Sequence, residues 1–157
     1  MRVSAIWILL TLLMVGCGVL APETVWLGRP GSFTRLVNDS PGVRQMIAEA
    51  SWRDEEAERS LGALPDQKRA ELVKDMLLHP DRYVTERRKL LAEMARQPAS
   101  MVAGRQDAIV IGRSEARCGG DPVDTNRFIK VRVSTGPSTG TEGWYCQGSD
   151  VEVLSNE

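Results

Sequence analysis

Few residues in this chain could carry out chemistry. There are one histidine and three cysteines. His79 precedes a proline, and no partner that would orient it as a general base is identifiable. Asp54, Glu55 and Glu56 fall on a predicted helix face that solvent hydrates. The glycine-rich strings GRPG and GPSTG do not lead into a helix that could receive a phosphate group. We therefore expect no catalytic residues, no cofactor and no enzymatic activity.

The cysteines divide between an apolar leading segment and the rest of the chain. Cys17 lies in the leading segment, whereas Cys118 and Cys146 form an even pair beyond it. In an oxidising compartment, such a pair indicates a disulfide, which would stabilise a small fold by about 3 to 4 kcal/mol. A metal site is the alternative. Because His79 is distant in sequence and no further thiol is near either cysteine, we expect no metal.

The leading segment is typical of membrane targeting. Residues 3–21 carry no charge, and Arg2 lies ahead of them. A buried core helix would have a polar face, which this segment lacks. As a helix it would span about 30 Å, the thickness of the hydrocarbon core, so a retained single-pass helix is possible. The charge of Arg2 predicts that the remaining chain lies on the far side of the inner membrane.

The string LMVGC, which ends at Cys17, resembles a bacterial lipobox. In that motif a small residue precedes a cysteine that is diacylated and becomes the mature amino terminus. Val15 and Gly16 fit the motif, and Met14 replaces its usual leucine. The resemblance implies lipid attachment at Cys17. Ordinary signal-peptidase cleavage before Pro22 is unfavourable, so a lipoprotein and a retained single-pass helix stay open as alternatives.

The charge of the chain is nearly balanced. Twenty basic and 21 acidic residues give a formal net charge of −1. The densest basic run, Arg87-Arg88-Lys89, has Glu86 and Glu93 beside it, which indicates a solvated helix face with local ion pairs. We therefore expect no nucleic-acid partner.

Helical patterns occupy residues 40–97, after an extended linker or pair of short strands over 22–39. Trp26, in the linker, is expected in the core or at a membrane interface. Serine, proline and glycine mark the helix boundaries. The predicted helices begin at Ser40, Pro65 and Asp81 and end near Gly62, His79 and Gln97. The second helix is predicted to bury an apolar stripe of Leu72, Val73, Met76 and Leu77. The three helices would form a hairpin or small bundle.

Strand patterns follow Pro98. Candidate strands cover residues 107–112, 128–133, 143–146 and 151–154, and the turn cluster GPSTG joins the second to the third. A small barrel would remove the edges of such a short sheet.

The string FIKVRVSTGPSTGTEGWYC, residues 128–146, resembles the central hairpin of bacterial SH3-like domains. Those domains typically show a basic alternating strand, a Gly-Pro-x-x-Gly turn and Glu-Gly-Trp entering the next strand. Residues 102–110 look like the opening segment of the barrel, and residues 149–154 like its closing strand. The resemblance covers residues 99–155 and implies an SH3-like small barrel. It also implies a variable loop over 114–127, which a Cys118–Cys146 disulfide would hold to the third strand.

Three aromatic residues are the candidates for ligand binding: Phe128, Trp144 and Tyr145. SH3 domains line a groove for polyproline ligands with aromatics, and bacterial relatives are linked to cell-wall peptide or protein contacts. The resemblance places Trp144 inside the barrel. Tyr145 alternates to the opposite face and is therefore the better candidate for exposure.

Together these patterns predict an α+β chain with four parts. They are a membrane anchor or signal segment (1–21), the linker (22–39), a helical block (40–97) and an SH3-like barrel (98–157). We expect a non-catalytic bacterial envelope protein, anchored through residues 3–21, that displays the barrel on the periplasmic or extracellular face to a protein or cell-wall peptide. A peptidoglycan-binding or hydrolase-accessory protein and a structural component of an envelope assembly are the alternatives.

Overall fold

A computed structural model describes residues 22–147. These residues form a mixed α+β fold, as predicted. The predicted anchor, Cys17 and the predicted strand at 151–154 lie outside the described residues. The helices are α1 (Pro41–Gly62), α2 (Asp66–Leu78) and α3 (Pro80–Arg96). The strands are β1 (Thr24–Leu27), β2 (Phe33–Val37), β3 (Ala99–Ala103), β4 (Gln106–Arg117), β5 (Arg127–Val133) and β6 (Glu142–Cys146).

The helix boundaries follow the predicted signals. The Ser40 hydroxyl accepts a hydrogen bond from the Val43 amide at 3.2 Å, and Pro41 occupies the first turn of α1. His79 lies between α2 and α3, so the predicted break at this position is confirmed. Within residues 22–147, none of the helices has both the length and the apolar character needed to cross a membrane.

The predicted burial of α2 is only partial, since Leu72, Val73 and Met76 are half-buried and Leu77 is exposed. No residue of α2 is buried, and the side chains of Leu77 and Leu78 are 56% and 63% exposed. The buried residues of α1 all lie in its first half, between Val43 and Ala50. The sheet therefore buries apolar side chains only in the first half of α1, and the second half contacts β4 and β5 through Asp54 and Glu58.

The strands form one antiparallel sheet in the order β1-β4-β5-β6-β2-β3. β1 pairs with β4, and β2 pairs with both β3 and β6. The segment predicted as an extended linker or a pair of short strands thus forms two strands of the sheet. The helical block is inserted between β2 and β3 of a single sheet.

The sheet curls strongly. Only Gly104 and Arg105 connect β3 to β4, although the two strands are four positions apart in the sheet order. A flat sheet would separate them by about 19 Å, whereas three Cα steps reach about 11 Å at most. Gly28 lies at this closure with φ of +71°, and a Cβ there would be 2.8 Å from the Gly104 carbonyl oxygen. The edge strands β1 and β3 therefore approach each other at this corner.

Two apolar clusters hold the fold together. The interior cluster receives residues from all six strands, which is the result expected for a curled sheet. Its members are Leu27, Leu36, Val102, Ala108, Ile129, Val131 and Val133, with Val25, Val110 and Tyr145 packed against them. The outer cluster lies between the sheet and the helices. Its members are Val37, Val43, Ile47, Ala50, Leu90, Met94, Ala116, Cys118 and Phe128.

Strand β4 is twice as long as predicted, since it continues to Arg117 through two register shifts. The irregular part is stabilised by α1. The Ser51 hydroxyl accepts a hydrogen bond from the Ala116 amide at 3.0 Å, and the Asp54 carboxylate accepts one from the Arg117 amide at 2.7 Å. Asp54 therefore faces the sheet and is not the solvated carboxylate that the sequence suggested. The predicted loop over 114–127 shortens to residues 118–126.

The basic run on α3 is only partly the solvated face that we expected. Lys89 and Arg88 make local ion pairs, with Glu86 at 2.7 Å and Asp81 at 2.6 Å. The Arg87 guanidinium instead donates hydrogen bonds to two carbonyl oxygens of the loop, those of Gly119 at 3.1 Å and Asp121 at 2.6 Å. Burial lowers the pKa of Arg87. Arg87 thus connects α3 to the loop.

Candidate functional site

The candidate site is an open groove of about 520 Å³ between α1, β4 and β6. Two tryptophans and small apolar side chains line it, and charged side chains of both signs surround them. The lining residues are Arg44, Ile47, Ala48, Ser51, Trp52, Glu55, Arg113, Ser114, Glu115 and Trp144.

Helix α1 supplies the first wall. Arg44, Ala48 and Trp52 follow one another at intervals of four residues, which places them on one helix face. Ile47, one residue away, points into the outer cluster and holds that face against the sheet. The Trp52 side chain is 63% exposed, so its indole can contact a ligand.

Strand β6 supplies the floor through Trp144. The Trp144 indole Nε1 donates a hydrogen bond to Asp39 Oδ1 at 3.0 Å. The same carboxylate pairs with Lys130 at 2.6 Å and with Arg44 at 3.0 Å. The hydrogen bond from Lys130 is the largest of the influences that lower the pKa of Asp39. The charged Asp39 carboxylate therefore fixes Trp144 and Arg44 in place before any ligand arrives.

Strand β4 supplies the opposite wall. The Arg113 guanidinium pairs with Glu23, just before β1. Glu115 pairs with Arg127 at 2.5 Å. The Arg113 and Glu115 side chains stay about half exposed, at 51% and 52%. Each can therefore still reach a charged group in the groove.

The three aromatics predicted to bind a ligand occupy three different environments. Phe128 is 4% exposed in the outer cluster and cannot reach a ligand. Tyr145 packs against the interior cluster, whereas Trp144 lies in the groove. The expected orientation of Trp144 and Tyr145 is thus reversed. The reason is that both faces of β6 are covered, so alternation alone does not say which face is interior.

The structure brings Cys118 and Cys146 to disulfide distance, with 1.99 Å between sulfurs and 5.7 Å between Cα atoms. The pair joins the end of β4 to the end of β6 beside the outer cluster. It therefore holds together the two strands that carry Glu115 and Trp144. Among residues 22–147 there is no group of three or more potential metal ligands.

His79 has neighbours that the sequence did not identify. Its Nε2 lies 3.8 Å from Asp75 Oδ1, and the Tyr83 hydroxyl donates a hydrogen bond to Asp75 Oδ2 at 2.5 Å. This hydrogen bond is the main cause that raises the pKa of Tyr83. The three side chains lie around the α2–α3 corner. None of them lines the groove.

Sequence reasoning missed the contribution of α1 to the site. The available signal was Trp52, a large aromatic on the polar side of an amphipathic helix, with Arg44 two turns before it. Arg113 carried no comparable signal, because its position in the wall depends on the irregular course of β4.

The chain was compared with protein-family models, with curated proteins and with solved structures, and none of them matches it.

Proposed function

We propose that this chain is a non-catalytic, membrane-anchored bacterial envelope protein that binds a peptide in the groove between α1 and the sheet. The peptide belongs to a protein partner or to the cell wall. The observation that carries the proposal is that Trp52 and Trp144 both line one charged groove, in which Asp39 already holds Trp144 in place.

The composition of the groove favours a peptide ligand. Indole rings provide large, rigid contact surfaces at a low cost in side-chain entropy. Arg44 and Arg113 can recognise carboxylates, and Glu55 and Glu115 can recognise amines. A peptide with apolar groups and charges of both signs matches this arrangement.

We further propose that the curled sheet is a small barrel of the SH3-like type. Support comes from the interior cluster, to which every strand contributes, and from the two-residue connection between β3 and β4. In this proposal β1 and β2 complete the barrel, and the helices are an insertion that forms one wall of the groove.

The membrane anchor in the proposal rests on the sequence of residues 3–21 and on Cys17. If Cys17 is acylated, labelled palmitate enters the wild-type chain and does not enter a Cys17→Ala variant. Equal labelling of both would contradict lipid attachment. A retained single-pass helix would then account for membrane association, and its intact mass would include residues 1–21.

Binding in the groove can be tested by co-sedimentation of the full chain with isolated peptidoglycan. We expect Trp52→Ala to reduce binding about tenfold or more, because it removes a large aromatic contact. Trp26→Ala is the matched control, since Trp26 is 66% exposed but lies outside the groove. If Trp52→Ala reduced co-sedimentation no more than Trp26→Ala did, the groove would not be the peptidoglycan-binding site. A hydrolytic activity that one point mutation abolishes would contradict the non-catalytic assignment.

A second candidate is a structural component of an envelope assembly. The observation in its favour is α2, which buries none of its residues and exposes Leu77 and Leu78. The mass of the detergent-solubilised chain in solution tests this candidate, and a monomer would count against it.

A further inference from the structure

A second exposed surface lies where the curled sheet closes. We call it the outer corner and define it by Trp26, Phe33, Met101 and Arg105. The Arg105 guanidinium lies over the Trp26 ring, 3.9 Å from its centroid. Phe33 pairs with Ala103, two residues before Arg105. The side chains of Trp26, Phe33 and Met101 are 66%, 50% and 57% exposed.

These apolar side chains are not part of either apolar cluster. The same three strands bury Leu27, Leu36 and Val102 in the interior cluster. The strands are therefore held by their inner faces alone. Clustered apolar side chains that serve no packing role mark a contact surface. The exposure of Trp26 also excludes the core position that the sequence allowed for it.

The position of the outer corner in the chain indicates what it contacts. Trp26 follows Ala21, the last residue of the apolar segment, by five residues. An extended chain of that length reaches about 17 Å at most. The headgroup layer extends about 5 to 7 Å beyond the hydrocarbon core. A tether this short gives a high effective concentration at the membrane surface, so even a weak preference is sufficient for contact.

We propose that the outer corner lies in the headgroup layer of the membrane to which the leading segment attaches the chain, either as a retained helix or through a lipid on Cys17. This inference rests on the proposed membrane attachment. The rings of Trp26 and Phe33 occupy the interface, where amphipathic aromatics are enriched, and Arg105 pairs with lipid phosphate groups. The other charged residues nearby are Arg29 in the β1–β2 turn, Arg35, which lies opposite Met101 and donates to the end of α3, and Asp107, which lies opposite Trp26. The surface is therefore only weakly basic, and apolar contact dominates.

A second copy of this chain is a poorer occupant. A stable interface buries about 800 Å² on each partner. Two aromatic side chains and one methionine, each already partly covered, provide less than this. Contact with the membrane does not require this buried area, because the short chain between Ala21 and Trp26 already keeps the outer corner close to the membrane.

Tryptophan quenching in vesicles tests the proposal with the full chain. The vesicles contain phosphatidylcholine with brominated acyl chains and phosphatidylglycerol as the minor component. One variant keeps only Trp26, with Trp7, Trp52 and Trp144 changed to Phe. The matched control keeps only Trp52, which is 63% exposed on α1, with Trp7, Trp26 and Trp144 changed to Phe. We expect several-fold stronger quenching of Trp26 than of Trp52.

Equal quenching of the two tryptophans would overturn the inference. So would an unquenched Trp26 whose emission depends on the protein-to-lipid ratio, which would indicate a second copy. If the triple variants unfold, the single variants Trp26→Ala and Trp52→Ala replace them. We then expect Trp26→Ala to reduce the total tryptophan quenching more than Trp52→Ala does. Vesicle flotation separates the two proposals. A chain that does not float overturns the membrane attachment as well, whereas a floating chain with Trp26 unquenched overturns this inference alone.

Discussion

Asp39 is the residue that organises the groove. It lies between β2 and α1, and its carboxylate binds Trp144 of β6, Lys130 of β5 and Arg44 of α1. The Asp39 side chain is only 17% exposed, so solvent screens these contacts less than it would at the surface. One carboxylate therefore couples the floor of the groove to its helical wall.

The lowered pKa of Asp39 has a consequence for stability. A carboxyl group whose pKa is lower in the folded state stabilises the fold above its unfolded pKa, and this contribution disappears as the pH falls through the folded value. We expect Asp39→Asn to reduce the free energy of unfolding by about 2 kcal/mol at neutral pH. The difference from wild type should narrow below about pH 4. Urea titrations across pH measure this difference.

Asp66→Asn is the control for this prediction. Asp66 pairs with Arg69 at 3.4 Å, but its side chain is 98% exposed. An exposed pair contributes little, so this variant should change stability by less than about 1 kcal/mol. A gap between Asp39→Asn and wild type that stayed constant down to strongly acidic pH would contradict the role of the Asp39 charge.

At the scale of single residues, the sequence predicted little of the site. Trp144 was among the candidates, but Asp39, Trp52 and Arg113 were not. Their roles depend on contacts between residues far apart in the chain, such as the 105 positions between Asp39 and Trp144. Local patterns contain no information about such contacts, although Trp52, an aromatic on the polar side of an amphipathic helix, was a local signal for the site.

At the scale of elements, two arginines cap the carboxyl ends of α1 and α3, the two helices that pack on the sheet. Arg35 of β2 donates hydrogen bonds to the carbonyl oxygens of Met94 at 3.1 Å and Ala95 at 3.0 Å, and to that of Gln97. Arg69 of α2 binds the last carbonyls of α1, with 3.2 Å to Leu61. Each guanidinium satisfies carbonyl groups that the helix itself leaves unpaired.

The Arg35 cap predicts a local loss of stability. Arg35→Met keeps the aliphatic stem and removes the hydrogen bonds, so amide exchange should accelerate in the last turn of α3. Arg35→Lys should restore only part of the protection, because an ammonium group lacks the fork geometry of a guanidinium. Arg69→Met should affect the end of α1 and leave α3 unchanged. Uniform acceleration in both helices would contradict separate caps.

The helices were predictable because the residues that set their boundaries act on the backbone next to them. Ser40, Pro41 and the His79-Pro80 pair each act on the adjacent backbone, and the structure ends or begins a helix at each. The strands were harder to predict from the sequence. β3, with the sequence ASMVA, lacks β-branched residues apart from Val102 and was not separated from β4. The pairing of β2 with β3 and β6 crosses the whole helical block, which no local pattern indicates.

At the scale of the whole molecule, the Cys118–Cys146 pair joins the ends of two non-adjacent strands over a separation of 28 residues. Reduction should lower the free energy of unfolding by about 3 to 4 kcal/mol. Urea midpoints with and without reductant measure this loss. Cys17→Ser is the control and should leave both midpoints unchanged. Two titratable thiols in the unfolded, unreduced wild-type chain beyond Cys17 would contradict the disulfide.

The molecule as a whole combines an apolar leading segment, a curled sheet and a helical insertion. The sheet closes where its edge strands β1 and β3 approach each other, and the helical insertion adds the wall that turns one sheet face into a groove. The outer corner follows the leading segment by a few residues, and Arg113, in the groove wall, pairs with Glu23 just after that segment.

The central claim is that the groove binds a peptide of the envelope. Site-specific photo-crosslinking in bacterial cells that produce the full chain tests it most directly. A photo-reactive phenylalanine derivative replaces Ala48, an exposed residue of the groove wall, and in the control it replaces Ala57, an exposed residue of α1 outside the groove. We predict a light-dependent adduct with an envelope protein or a cell-wall peptide at position 48 and none at position 57. No adduct at position 48, or equal adducts at both positions, would contradict the claim.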